Sequence, residues 1–328
     1  MFADFLVSGL AAFALTAMVL HLLLVRAHRF LPVDQPNERS LHARPIPRFG
    51  GLAILVGGAL AFTMPASVMP SWLWPVPVLA AVSLLDDFVT LPAVPRFLVQ
   101  IAVAVAFALT QSIDLWWIGA VVLAMVWMTN LYNFMDGSDG LAGAMALVGF
   151  GTYALLSALA GDVEVATVCV VLCGASLAFL LRNLPPASVF MGDAGSIPLG
   201  FLAAAIGVVG LQRGLWDAWL PVLVFLVFIA DATVTLLQRL CRGERVWQAH
   251  RSHYYQRLVQ MGLGHAGTAK LYLAGMVGCG ASAALAQLAA PAVGPVILVA
   301  WALLLLLVGR HIDRRWRSFM DSSVRGSR

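Results

Sequence analysis

Charge is what this sequence has least of. Only 11% of its 328 residues are charged, against 61% hydrophobic residues and a mean hydropathy of +0.90. A soluble domain carries about 25% charged residues, so a water-solvated globule is excluded and a polytopic membrane protein is implied. The sequence also lacks the apolar–polar alternation of a membrane barrel; its apolar runs are long and continuous, which points to helices. No internal repeat, low-complexity tract or soluble domain is visible. The first apolar run has no basic stretch ahead of it and positive charge behind it. It therefore reads as a first spanning helix with its N-terminus outside, not as a signal peptide. Cysteines number only four, Cys169, Cys173, Cys241 and Cys279, and they are scattered. They read as small core residues, not as a disulfide or metal site.

What is present is a series of apolar segments near 3–25, 50–69, 73–88, 95–113, 115–134, 140–160, 164–182, 195–211, 217–238, 268–287 and 291–309. They predict an all-α bundle of about eleven transmembrane helices of ~20 residues each, forming one membrane domain over 1–328. Numbering the loops alternately leaves Arg213 as the only one of 20 Lys and Arg in an outer loop. That asymmetry fixes N-out, C-in, with inner loops 26–49, 86–95, 134–140, 182–196 and 239–267 and an inner tail at 310–328. Six of the ten Trp (Trp72, Trp74, Trp116, Trp117, Trp216, Trp219) fall near outer boundaries, as an interfacial belt would.

The chemistry-bearing residues gather on the inner side. Asp86 and Asp87 end the third apolar run. Adjacent like charges there need a cation or donors to offset them, unless they simply sit in a solvated loop. In "NLYNFMDGSDG" (130–140), Asn130, Asn133 and Asp136 recur every three residues and share one side of a helix. A polar helix end followed by a Gly turn explains them equally; their oxygens also suit Mg²⁺. "FMGDAGS" (190–196) sets Asp193 in a Gly-rich turn that opens a helix. Such a turn serves as an ordinary N-cap or as a phosphate and metal cradle. Arg48 precedes Gly50 and Gly51 in "PRFGG". His250, Arg251, His253 and Arg257 form a basic stretch suited to diphosphate, with inner-face solvation as the plain alternative. Asp231 is an acid inside the ninth apolar segment, marking it as supporting a site or bonding a neighbouring helix through Thr233 or Thr235.

Taken in order, "PRFGG", the Asp86–Asp87 pair, "NLYNFMDGSDGLAG", "FMGDAGS" and a His-containing inner loop resemble the polyprenyl-phosphate N-acetylhexosamine-1-phosphate transferases (glycosyltransferase family 4). The likeness covers about 34–258. It is nearest the branch that initiates O-antigen or similar lipid-linked glycans. The resemblance implies an enzyme of the bacterial inner (cytoplasmic) membrane. It would transfer a sugar 1-phosphate from a UDP-N-acetylhexosamine to undecaprenyl phosphate, releasing UMP, with Mg²⁺ (or Mn²⁺ in its place). By motif match, Asp193 and Asn133 would bind the metal. Asp86 or Asp87 would act as base with His253 as a further catalytic group, and Asp136 would support the site. Asp139 and Phe190 would meet the uridine, with Phe190 stacking on uracil. His253 and its neighbours His250, Arg251 and Arg257 would hold phosphate, and Arg48, in a turn that brings backbone near a ligand or merely connects two helices, is a further substrate-binding candidate. Relatives with an HxHH-like cluster differ here, because His253 is followed by Tyr254, Tyr255 and Gln256; this argues against the muramoyl-pentapeptide branch.

Direct attack by the lipid phosphate is favoured, with a covalent aspartyl intermediate left open. Partners implied are undecaprenyl phosphate, the UDP-sugar and the bilayer, with a homodimer open and no nucleic acid. A transporter, or another membrane phosphotransferase, is the alternative. The first would want more intramembrane acids and inverted repeats, the second a denser Asp cluster.

Overall fold

The computed structural model describes residues 2–27, 32–36, 41, 44–63, 69–89, 91–246, 248 and 250–326. Arg29 and Arg39 of the first basic loop lie outside the described residues. Among the described residues each apolar segment read from the sequence forms helix over much of its length, because a backbone in hydrocarbon must satisfy its own hydrogen bonds. In chain order these are α1 (Phe2–Leu22), α2 (Gly50–Ala61), α3 (Pro75–Val89), α4 (Ala93–Thr110), α5 (Leu115–Phe134), α6 (Leu141–Leu159), α7 (Val163–Asn183), α8 (Asp193–Gln212), α9 (Trp219–Val224), α10 (Leu226–Cys241), α11 (Tyr254–Leu258), α12 (Gly264–Ala289) and α13 (Gly294–Gly326). A two-stranded ribbon, β1 (Val33–Asp34) with β2 (Ile46–Pro47), folds the first loop back on itself, pairing Val33 with Pro47.

Among the described residues, nine helical stretches are long and apolar enough to cross a membrane. The chain is thus an all-α polytopic membrane protein. Two of the eleven apolar segments fall short for physical reasons. α2 has only 12 residues, about 18 Å of helix. The segment at 217–238 is interrupted at Phe225, whose backbone (φ −100°, ψ 11°) separates α9 from α10.

α8 is the central element, buried along most of its length and packed on α3, α5 and α2. Small residues set the closest approaches, as in membrane bundles generally. A Cβ on Gly51 would lie 2.1 Å from the Gly195 Cα, so the first turns of α2 and α8 touch backbone to backbone. A Cβ on Gly174 of α7 would lie 2.1 Å from the Gly9 carbonyl oxygen of α1.

Three expectations need correcting. The inner segment 239–267, read as one polar loop, contains α11 and the start of α12. Likewise α3 continues through Asp86 and Asp87, and α13 continues through most of the expected tail, because helices extend past the hydrocarbon when polar residues can meet water. Of the tryptophans expected in an interfacial belt, Trp74, Trp116 and Trp117 are exposed, whereas Trp72, Trp216 and Trp219 are packed inside. Two of these find partners for the indole N–H: Trp72 donates to Glu164 Oε1 (2.8 Å) and Trp216 to the Gly207 carbonyl (3.0 Å). At that same end of the bundle Arg213 is ion-paired to Asp162 (3.0 Å) and Glu164 (2.5 Å). All four cysteines are unbridged.

Candidate active site

The site begins with two loops zipped together. Gly50 N–H donates to the Phe190 carbonyl (2.9 Å), Gly51 N–H to the Met191 carbonyl (2.8 Å), and Phe190 N–H to the Pro47 carbonyl (2.8 Å). Gly192 takes φ 75°, and a Cβ there would lie 2.9 Å from the Arg48 carbonyl oxygen. Only glycines permit this approach. Its effect is to start α2 and α8 side by side, bringing Arg48 and Asp193, 145 residues apart, into contact.

Asp193 is the hub. Its Oδ1 accepts from Arg48 Nη2 (3.1 Å) and Asn133 Nδ2 (3.1 Å), and its Oδ2 from Arg96 Nη1 (3.4 Å). It is not spent as a helix cap, since Gly192 occupies the N-cap position of α8. Asn133 Nδ2 also donates to Ser196 Oγ (2.9 Å). Arg96 is paired to Asp86 as well, and Asp86 Oδ1 accepts from Leu91 N–H (2.7 Å). Asp87 differs: its side chain is 4% exposed, with Oδ1 3.6 Å from Arg48 Nη2. Its Oδ2 is buried with no hydrogen-bond partner among the described residues. Of two adjacent carboxylates, one is therefore fully engaged and the other keeps an unused oxygen.

A cavity of about 350 Å³ opens beside this cluster. Arg48, Asn133, Asp136, Asp139, Phe190, Asp193, His250 and His253 line it, together with Asp34, Gln256 and His265. Asp86 and Asp87 do not line it; they reach it through Arg96 and Arg48. Burial pulls the Arg48 pKa down, but the carboxylates of Asp193 and Asp87 more than reverse this and hold it above its ordinary value. Burial pushes the Asp136 carboxyl well above the usual carboxylate range, with Arg48 opposing. Asp139 Oδ2 accepts from Ala187 N–H (3.0 Å), and Oδ1 lies 3.7 Å from His265 Nδ1. His265 in turn meets Ser138 Oγ (3.0 Å) and the Leu41 carbonyl (3.1 Å).

The far wall of the cavity hangs on Asp231. This buried acid accepts from Tyr254 N–H (3.0 Å), Tyr255 N–H (3.0 Å) and Tyr272 O–H (2.5 Å), and faces His253 Nδ1 at 3.2 Å. It thus caps the start of α11 and fixes the His253 ring. The expected bond to a neighbouring helix through Thr233 or Thr235 is not the one made: Thr235 donates to Asp231 within α10 itself (3.3 Å), and Thr233 accepts from Trp127 Nε1 (3.2 Å). His250 accepts at Nδ1 from Ser252 N–H (3.3 Å), which makes the neutral ring carry its proton on Nε2. Burial, then the neighbouring His253, lowers its pKa to about 4. In neutral solution His250 is thus an uncharged hydrogen-bond donor.

Ten of the twelve expected site residues belong to the cavity or to the carboxylate–arginine cluster beside it. Two do not. Arg251 is exposed outside the cavity. Arg257 is turned away and buried, ion-paired to Asp313 Oδ1 (2.5 Å) over the Tyr254 ring (5.0 Å). Asn130 is explained: it donates to Gln100 Oε1 (2.7 Å) and ties α5 to α4. The sequence reading missed Arg96, Asp34 and His265. Arg96 stood at the edge of the inner loop after Asp86–Asp87 but read as topology charge; Asp34 and His265 carry no motif around them.

The sequence model of glycosyl transferase family 4 matches residues 69–211, a span that holds Asp86, Asn133 and Asp193. The chain is 31% identical to a "Probable undecaprenyl-phosphate N-acetylglucosaminyl 1-phosphate transferase" of Bacillus subtilis (strain 168), over 80% of this chain and 78% of the relative. It is 30% identical to a decaprenyl-phosphate N-acetylglucosaminephosphotransferase of Mycobacterium tuberculosis (strain ATCC 25618 / H37Rv), over 93% and 89%. Similarity to a phospho-N-acetylmuramoyl-pentapeptide-transferase of Listeria welshimeri is lower and shorter, 27% over 54% and 63%.

Proposed function

The chain belongs to glycosyl transferase family 4, and on that premise we propose that it transfers an N-acetylhexosamine 1-phosphate from a UDP-sugar to undecaprenyl phosphate, releasing UMP. The Bacillus subtilis and Mycobacterium tuberculosis relatives are named for a polyprenyl phosphate and N-acetylglucosamine, which makes that sugar the first to test. The product would begin a lipid-linked envelope glycan, O-antigen included, at the inner face of the bacterial cytoplasmic membrane. The basic bias of the motif-bearing loops supports that orientation.

One observation carries the reading: two arginines and an asparagine amide converge on Asp193 at the mouth of a polar cavity in a membrane bundle. Two anionic substrates need such a place. Arg48 and Arg96 are already on carboxylates and would exchange these for phosphate oxygens, a stronger planar contact for guanidinium. That exchange would expose Asp87, whose unpartnered Oδ2 is suited to take any proton left on the lipid phosphate. The phosphate oxygen then attacks the phosphorus bearing the sugar, and the bond to UMP breaks. His253, held by Asp231, and the neutral His250 would donate hydrogen bonds to the diphosphate. Phe190 offers an aromatic face for uracil at the cavity wall.

The donor set fits Mg²⁺. Asp193, Asn133 and the Asp87 oxygen are hard ligands. Among the described residues no three His, Cys, Asp or Glu converge as a preformed metal site. Mg²⁺ takes one or two carboxylates and fills its shell with water and substrate phosphate. Held by Asp193 and Asn133, it would neutralise charge on the diphosphate.

The test is an assay of purified protein in detergent with Mg²⁺, undecaprenyl phosphate and a panel of UDP-sugars, read as UMP. Release with at least one UDP-N-acetylhexosamine is expected. No UMP from any donor overturns the reaction, and full activity in Asp193→Asn overturns the site.

A further inference from the structure

A second cavity, about 440 Å³, lies between α10, α12 and α13, on the opposite side of α11 from the polar site. Its walls are apolar: Leu271, Ala274 and Gly275 of α12, and Trp301, Leu305 and Val308 of α13. Its inner end is polar and structured. There Gln238 Nε2 donates to Tyr254 Oη (2.8 Å) and to Asp313 Oδ2 (3.0 Å), and Tyr254 O–H donates to Asp313 Oδ2 (3.1 Å). Asp313 is neutralised by Arg257 at 2.5 Å, and Asp231, also on the wall, by its own ring of donors. What is left over is positive. Arg310 lines the mouth of the groove, exposed, and Arg314 follows one turn on. Neither has an ion-pair partner among the described residues. The buried Gln238 Oε1 and Arg257 Nε also lack partners there.

An apolar slot ending in unpaired guanidinium matches an anionic amphiphile with one chain in the slot and a phosphate at its mouth. We propose that this groove holds one anionic phospholipid of the surrounding bilayer, its chain along Ala274, Trp301 and Leu305 and its phosphate at Arg310. The occupant is not the acceptor lipid, because Asp231, Tyr254 and Tyr272 stand between this groove and the reaction cavity. A phosphate at Arg310 cannot reach Asp193 through that wall. The lipid backs the same residues that hold His253, so it props the catalytic loop from behind. The binding inference does not depend on which reaction the site performs.

The test is native mass spectrometry of the full chain in detergent, with phosphatidylglycerol, phosphatidylcholine or undecaprenyl phosphate added at equal concentration. One phosphatidylglycerol should be retained, with phosphatidylcholine held several-fold less. Arg310→Ala should weaken phosphatidylglycerol retention about five-fold, the share of one arginine near an anionic lipid surface. Ala274→Phe, at an exposed groove position, should abolish retention by filling the slot. Thermal unfolding checks that both variants remain folded; should either fail, Leu305→Trp replaces it. Equal retention of both phospholipids, or retention unchanged in the folded variants, overturns the proposal. So does displacement of phosphatidylglycerol by undecaprenyl phosphate, which would give the groove to the acceptor.

Discussion

Asp231 Oδ1 lies 3.2 Å from His253 Nδ1, so the ring meets the cavity with its other nitrogen forward. The same acid takes two backbone N–H groups and the Tyr272 hydroxyl, and so sets the position of the whole 253–258 turn. Removing it leaves several buried donors without an acceptor, a penalty of about 1–3 kcal/mol for each. Asp231→Ala should therefore lower the melting temperature sharply. Asp231→Asn, which keeps one acceptor, should melt closer to the parent yet lose kcat with little change in KM for the nucleotide. Equal losses in kcat and melting temperature across both variants would reduce Asp231 to a purely structural residue.

The two adjacent carboxylates should separate kinetically. Asp87 has an unused buried oxygen and Asp86 has none. Asp87→Asn should cost about 100- to 10,000-fold in kcat, the range of a lost general base. Asp86→Asn should act mainly through Arg96, raising KM for the lipid phosphate. Steady-state kinetics on both variants decide; the reverse ranking would move the base to Asp86.

Arg96 touches both Asp86 and Asp193. Its guanidinium bridges two acids, which a lysine ammonium does not reproduce. Arg96→Lys should fail to rescue the loss seen in Arg96→Ala. Full rescue by lysine would mean that only charge matters at this position.

His250 titrates near 4, below its ordinary value, through burial and then His253. Between its unfolded and folded pKa values the unfolded chain binds more protons, so stability rises with pH from about 4 to about 6.5. His250→Gln keeps a hydrogen-bond donor and removes the titration. Its melting temperature should fall less than the parent's as pH drops through that window. Identical pH profiles would exclude a titrating His250.

Asp136 is shifted the other way, upward by burial. Its folded form holds a proton that the unfolded chain has already lost, so its contribution to stability is present at low pH and lost as pH rises. In metal-free buffer Asp136→Asn should thus melt higher than the parent at pH 8, with the gap closing towards pH 4. A variant less stable at pH 8 would show that the charged form is the one the fold holds.

How much of this was legible in the sequence varies by residue. Hydropathy revealed the helices, because hydrocarbon leaves the backbone no alternative. It also gathered Asn133, Asp193 and His253 at one end, since the first closes an apolar run, the second opens one and the third lies in a loop of the same side. Pairings were not legible. Arg48 meets Asp193 only because two glycine turns lie against each other, and no local pattern encodes that contact. Arg96 and Arg257 were confused for the same reason: a single inner-side arginine looks alike whether it faces the site or a half-buried aspartate on α13. The tryptophans misled because an indole near a helix end can pack inward when a carbonyl or carboxylate waits for its N–H.

The clamp of Asp313 on Tyr254, Gln238 and Arg257 has a consequence for the order of biosynthesis. A ribosome completes every motif of the reaction cavity, from Arg48 to Gln256, before it adds the residue that pins the last of them. The nascent protein therefore carries all its reactive groups without the fastening that sets them. A translation product stopped at Ala290 would carry all of those motifs and lack Asp313, and is expected to show less activity than the full chain.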